Sequence, residues 1–376
     1  MKVLLITAYF KEEARGIPTS YKLARLLAEH GHEVVVLTSK AISRRTDEPH
    51  RNIKVIETKD LFIRDPLNVN LMPFLFRDLG RIIKKENPDV CIVSKYIFFP
   101  IICTPYLRMK GLPVIVITDT YPGVVWFVRN KLVNFMAWLY YHVVGRFFFK
   151  FADLVVLTHE EIIEATKGIG VKPNRFTVIH NGVDLKRIDA ARPARNIKKG
   201  KDDVIVTFVG RLASIKGLDT LLEAAKDILA KPEHRNVRFL LVGDGDNRRL
   251  FRHKSVEYLG YRNDVVSIFK KSDIAVMPSI SEGLPSAVIE AMSCGVPIVG
   301  SDIPGGMKVL VKDNVTGLRF RKGDSKDLAA KLEKLIKSKG LRQRLGLGAR
   351  RLIEKDFNND KIYNTWNNTL KRLVRR

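Results

Sequence analysis

One stretch, residues 273–297, constrains the architecture more than any other. Asp273-Ile274-Ala275-Val276-Met277 is a short, apolar, β-compatible run of the kind buried inside a sheet, and Pro278 ends it. A helix follows at once. Leu284, Ala287, Val288, Ala291 and Met292 fall on one face at helical spacing, Pro285 sits where a first-turn proline is tolerated, and Gly295 then Pro297 mark the stop. The first turn of such a helix carries backbone N–H groups without internal partners and the positive end of the helix dipole. The strand-to-helix junction is therefore a place for a phosphate.

Two carboxylates, Glu282 and Glu290, bracket that first turn. If the segment between them is all helical they stand roughly 12 Å apart, whereas an acid–base pair across one glycosidic bond needs roughly 5–9.5 Å. Each carboxylate can instead accept from neighbouring hydroxyls, one on a hexose and one on a ribose, with phosphates between, which suits a nucleotide-sugar. A dipole-favoured Glu at a helix start and a solvated Glu inside it give the same spacing, so the pair alone leaves both readings standing.

The full run Ser-Glu-Gly-Leu-Pro-Ser-Ala-Val-Ile-Glu-Ala-Met-Ser-Cys-Gly-Val-Pro, with seven residues between Glu282 and Glu290, resembles the signature of the retaining glycosyltransferases of family 4. The resemblance implies the GT-B fold, an α/β architecture of two Rossmann-like doubly wound domains facing an interdomain cleft. It also implies transfer of a sugar from a nucleotide-sugar donor, UDP- or GDP-linked, with the donor a substrate and no cofactor. From it, Gly283, Leu284 and Pro285 are expected at the donor beside Glu282 and Glu290.

Length and composition agree with this. A chain of 376 residues with 45% apolar content is too long for one ordinary core and fits two domains. Cys91, Cys103 and Cys294 lie in apolar contexts without paired spacing, as buried thiols in a reducing compartment would. The start Met1–Thr7 is a strand-like run with no cleavage-site pattern after it, so a cytoplasmic protein is expected, peripheral on the inner face of a membrane. A net charge of +26 attracts nucleic acid, anionic lipid or phosphorylated substrates without choosing among them. Zinc-ligand, RNP-type and helix-turn-helix patterns are not apparent, so nucleic acid is not expected as a partner.

In chain order, Lys2 to Ala8, a polar turn with Arg15 and Gly16, a helix carrying Leu23, Leu26 and Leu27, and Glu33 to Leu37 read as a βαβ unit. Gly16 is a candidate for backbone approach to the donor; the family usually has two adjacent glycines here, and Arg15 stands in the first place. Asp89 to Ser94 and Pro113 to Thr118 are further buried strands. The family usually carries a histidine where Thr118 stands, so Asp119 is taken as the acceptor-side candidate, with a local turn cap as the other reading.

Val124 to Phe151 interleaves aromatic residues, among them Trp126, Phe135, Trp138 and Phe147, with Arg129, Lys131, Arg146 and Lys150. Charges interrupt it too often for a spanning helix of roughly 20 residues. It suits contact with anionic lipid, or packing of its rings on the first domain. Asn181-Gly182-Val183-Asp184 resembles the family's hinge segment, His180 before it reads as structural, and residues 186–203, basic and holding Pro193, read as a linker.

After the strand Val204 to Val209, Arg211 and Lys216 resemble the family's two cations that neutralise the donor diphosphate, where charge develops as the sugar departs. Asp244 and Asp246 form an Asp-x-Asp in a glycine-rich turn and are read as loop chemistry; no metal site is expected. Tyr261 and Arg262 resemble the border of the nucleobase pocket, and Val309 stands where the family often has Glu.

The expected domains are 1–185 on the acceptor side, a linker at 186–203, 204–355 for the donor, and 356–376 as a helix returning to the first domain. Catalytic roles fall to Glu282, Arg211, Lys216 and Asp119. The expected partners are the donor, a glycan or lipid-linked acceptor, and an anionic membrane. A GT-B nucleotide-sugar epimerase and a basic nucleic-acid-binding protein are the alternatives.

Overall fold

The computed structural model describes residues 1–8, 10, 19–40, 50–59, 61–63, 69–94, 99–121, 124, 131–245 and 256–375. The chain divides into two compact units. One holds the described residues up to Gly182 together with those from Asn359 onward, and the other spans Val183–Asn358.

The first unit contains strands β1 (Lys2–Thr7), β2 (Glu33–Ser39), β3 (Ile53–Thr58), β4 (Leu61–Ile63), β5 (Val69–Leu71), β6 (Val90–Ser94), β7 (Val114–Thr118), β8 (Leu154–Leu157) and β9 (Phe176–Val178). Seven of them form a sheet in the order β3-β2-β1-β6-β7-β8-β9, and β4 pairs with β5 as a short antiparallel ribbon. Every pairing in the large sheet is parallel; Leu4 lies between Val35 and Cys91. The near-continuous apolar runs explain this, since parallel strands are covered on both faces and cannot alternate polar with apolar.

One face is closed by the final helix, Asn359–Val374. Ile362, Trp366, Leu370 and Leu373 recur at helical spacing and share a core with Leu23, Leu26 and Leu27 of the helix Thr19–Glu29. Cys91 and Cys103 are buried in this unit's other core, and burial pushes both thiols up, so they behave as small hydrophobes.

The second unit contains β10 (Val204–Val209), β11 (Val237–Val242), β12 (Val256–Gly260), β13 (Ile274–Met277), β14 (Ile298–Asp302) and β15 (Gly317–Arg321). They form one parallel sheet in the order β12-β11-β10-β13-β14-β15. Strand order runs outward one way from β10 through β11 to β12 and the other way from β13 through β14 to β15. The order therefore switches between β10 and β13, the position at which open sheets of this kind bind ligands beyond the carboxyl ends of their strands.

The basic stretch 186–203 is not a free linker. Ala194 and Ile197 are buried against Ile205, Leu240, Val242 and Ile268, and the Ala194 N–H donates to the Ser267 carbonyl at 2.9 Å. Asp189 accepts both Nη groups of Arg350 at 2.8 and 2.9 Å, and Lys199 meets Asp273 at 2.6 Å. Composition concealed this because a few apolar anchors suffice to seat a stretch of mostly charged residues whose side chains remain in solvent.

Candidate functional site

Three loops meet at the carboxyl ends of β10, β13 and β14. After β10 the Gly210 N–H donates to the Val242 carbonyl at 3.0 Å and the Leu212 N–H to the Asp244 carbonyl at 2.9 Å. Arg211 is held between these two tethers with its side chain exposed. A 3-10 turn, Ser214–Lys216, then delivers Lys216, and Gly217 starts the next helix at φ +65°.

That glycine is required. A Cβ there would stand 1.9 Å from the Pro278 carbonyl oxygen, and the left-handed backbone is itself costly for any other residue. Its absence lets the loops close, with the Ile280 N–H donating to the Ile215 carbonyl at 2.8 Å. From β14, the Gly306 N–H donates to the Gly283 carbonyl at 2.7 Å, and a Cβ on Gly306 would stand 2.2 Å from that oxygen.

The result is an enclosed ion pair. Lys216 Nζ lies 2.5 Å from Glu282 Oε1, and the Ser279 hydroxyl donates to the same oxygen at 2.6 Å. Ser279 is fully buried, and the Lys216 and Glu282 side chains are only 15% and 10% exposed.

Glu282 is not in the signature helix. The helix begins at Ser286 and ends at Ser293, with Pro285 as its cap at φ −72° and ψ 113°. An all-helical path from Glu282 to Glu290 is therefore corrected: residues 279–285 are loop because they are tied to the two neighbouring loops before helical bonds begin. Leu284 and Pro285 are buried, Gly283 is half-buried, and Glu290 is half-buried on the helix. Arg350 also donates from Nη1 to the Ser293 carbonyl at 2.5 Å, satisfying an otherwise orphaned acceptor at the helix end.

The remaining candidates of this unit lie apart in role. Tyr261 is exposed just after β12, and Arg262 forms a bidentate pair with Asp264 at 2.7 Å for each bond, so its guanidinium is already engaged. Asp244 accepts from the Gly245 N–H at 2.8 Å and the Tyr258 hydroxyl at 3.3 Å, as loop chemistry requires; Asp246 lies outside the described residues. Among the described residues no group of three or more His, Cys, Asp or Glu is placed to hold a metal.

In the first unit, Asp119 is half-buried at the end of β7, while Gly16 lies outside the described residues. Thr118, where the resemblance leads one to look for a histidine, is buried and donates its hydroxyl to the Thr120 carbonyl at 2.8 Å. A histidine not singled out from sequence stands nearby: His159, fully buried after β8, donates from Nε2 to the Asp119 carbonyl at 3.0 Å. Burial pushes that imidazole below its ordinary value, so it is the neutral form that holds the turn. His180 bonds the Thr158 carbonyl through Nδ1 at 2.9 Å and faces Glu160 at 3.3 Å, an arrangement that serves the loop.

The aromatic stretch also has two parts. Tyr141 and Phe149 are buried beside Tyr121. The helix Lys131–Tyr140 buries none of its residues. Phe135, Met136, Trp138, Leu139, Val143 and Phe147 stand between 43 and 60% exposed, with Lys131, Arg146 and Lys150 exposed among them. Trp126 and Arg129 lie outside the described residues. No helix among the described residues is long and apolar enough to cross a membrane.

Comparison with known proteins follows this division of the chain. Residues 19–187 match the model of Glycosyltransferase Family 4, and residues 191–352 match that of Glycosyl transferases group 1. The D-inositol 3-phosphate glycosyltransferase of Rhodococcus jostii is 31% identical over 205 residues, 50% of this chain and 45% of the relative. The UDP-Gal:alpha-D-GlcNAc-diphosphoundecaprenol alpha-1,3-galactosyltransferase of Escherichia coli is 33% identical over 185 residues, 46% of this chain and 48% of the relative. The chain thus spans about half the length of these curated relatives. The solved structure of HepE from Anabaena, in complex with UDP and glucose, is similar with a TM-score of 0.75 and 18% identity, over 99% of this chain and 100% of that one, a likeness of fold.

Proposed function

We propose, from the premise that this chain belongs to the GT-B glycosyltransferases of the group 1 and family 4 type, that it moves a sugar from a UDP- or GDP-linked donor to an acceptor with retention of anomeric configuration. The observation that carries this reading is the meeting of Lys216 and Glu282 at the carboxyl ends of β10 and β13, with exposed Arg211 on the same loop as Lys216. A diphosphate there has two cations to face, and fixed positive charge lowers the barrier to departure of a nucleoside diphosphate. Lys216 keeps two of its three N–H donors for phosphate oxygens while the third holds Glu282. Glu282 and Glu290 accept from sugar hydroxyls, Tyr261 borders the base, and Asp119 serves the acceptor side. The donor is a substrate, and neutralisation by side chains needs no metal or cofactor.

The acceptor is lipid-linked, and the enzyme works from the cytoplasmic face of an anionic membrane. Support comes from the helix Lys131–Tyr140 and the turns after it, which leave Phe135, Met136, Trp138, Leu139, Val143 and Phe147 exposed along the same segment as exposed Lys131, Arg146 and Lys150, an aromatic and basic surface suited to anionic lipid. The E. coli relative named above has a diphosphoundecaprenol acceptor in its name. The test is a panel of UDP-glucose, UDP-galactose, UDP-N-acetylglucosamine and GDP-mannose, scored for slow release of nucleoside diphosphate and, by NMR, for the anomer released. One donor should be hydrolysed with its configuration kept. Release of the opposite anomer removes the retaining assignment, and no release from any donor removes the function.

A further inference from the structure

We infer that Ser279 is a positioning residue for the donor site, acting through Glu282, and this deepens the functional reading above and rests on it. The geometry carries the argument. Both donors that reach Glu282, the Lys216 ammonium at 2.5 Å and the Ser279 hydroxyl at 2.6 Å, converge on one oxygen, Oε1. Among the described residues none bonds Oε2 of this carboxylate, and the side chain keeps a tenth of its surface open.

A carboxylate held by two donors on one oxygen cannot rotate without breaking both bonds. Glu282 therefore presents Oε2, with two lone pairs in a fixed direction, to one substrate hydroxyl or two neighbouring ones. Without Ser279 the carboxylate can swing about the single Lys216 contact. It can then offer both oxygens to the ammonium, which draws Lys216 away from the phosphates. Ser279 is suited to the task because it is fully buried, so water cannot replace its hydroxyl, and because it sits on the loop strapped by Ile280 to the Lys216 loop. Its hydroxyl also sets specificity: a donor whose hydroxyls do not match the one direction of Oε2 gains nothing from Glu282.

The experiment uses the full chain with the donor that the wild type turns over. Ser279→Ala should lower kcat/KM for that donor about 10- to 100-fold, as expected for losing a hydrogen bond to a charged group that orients substrate. Ser279→Cys, close in size with a weak donor, should fall between the two. The readout that a merely structural role does not move is the coupling to Glu282: in a Glu282→Gln background, Ser279→Ala should cost less than about threefold more, because both act through the same carboxylate. The mutant should also narrow the preference between UDP-glucose and UDP-galactose, which differ in one hydroxyl's direction, relative to the wild type. Wild-type kcat/KM in Ser279→Ala, or a full additional loss in the Glu282→Gln background, overturns the inference and leaves the functional reading intact. A wild type that turns over no nucleotide-sugar overturns both.

Discussion

Replacing Lys216 by alanine should destabilise the second unit, although such a change at a solvated lysine is normally silent. The pair it breaks is nearly enclosed, with side-chain exposures of 15% and 10%. Removing one end of a buried pair costs about 3–5 kcal/mol, because the other charge stays behind without its partner. Here the Ser279 bond survives and Glu282 keeps some water contact, which places the cost at about 2–3 kcal/mol. For a unit of this size each kcal/mol moves the midpoint by about 2–4 °C, so Tm should fall by roughly 4–12 °C.

Calorimetry reads this as a downward shift of one transition, and hydrogen exchange assigns it through faster exchange in peptides that cover β10 and β13. Adding Glu282→Gln to Lys216→Ala should restore at least half of the loss, since it removes the stranded charge. The loss should also persist at raised salt, because an enclosed pair is poorly screened. A Lys216→Ala protein that melts with the wild type would show that the pair contributes nothing. A double variant no more stable than the single one would assign the cost to lost packing of the lysine stem.

Changing Phe135 and Trp138 to Ser together with Lys131 and Arg146 to Glu should abolish salt-sensitive co-sedimentation with anionic vesicles; equal partitioning onto neutral and anionic vesicles refutes the membrane contact. Each basic residue near anionic lipid adds about 1 kcal/mol, so a handful suffices. Gly217→Ala should cost about 3 kcal/mol or more by forcing the Pro278 carbonyl away and should lower activity with it; a stable, active variant contradicts the geometry. EDTA should leave turnover unchanged, and strict dependence on a divalent ion would return attention to Asp244. Arg350 holds the Asp189 carboxyl below its ordinary 3.8, so this pair's stabilisation is complete above that value and is lost as pH falls through the lower folded-state value. Asp189→Asn should therefore flatten the acid limb of a urea-denaturation series by up to about 1 kcal/mol, the range for an exposed pair.

The sequence by itself determined that strands are buried on both faces and alternate with helices, because runs such as Val3–Ile6 and Ile274–Met277 have no polar face to expose. It also marked Arg211, Lys216 and Glu282, since each lies in a short segment directly after such a strand. Local pattern extends no further than the local hydrogen bonds that produce it. The loop state of Glu282 follows from bonds to residues 215 and 306, far away in the chain, which overrode the helical spacing of its neighbours. The seating of residues 186–203 depended on a few apolar anchors reaching the face formed by β10 and β11, a partner invisible in a basic composition. Ser279 and His159 look ordinary in sequence. Only the tertiary structure gave each a partner, the one on Glu282 and the other on the Asp119 carbonyl, because a single hydroxyl or imidazole has no direction until the strands that carry it are set side by side.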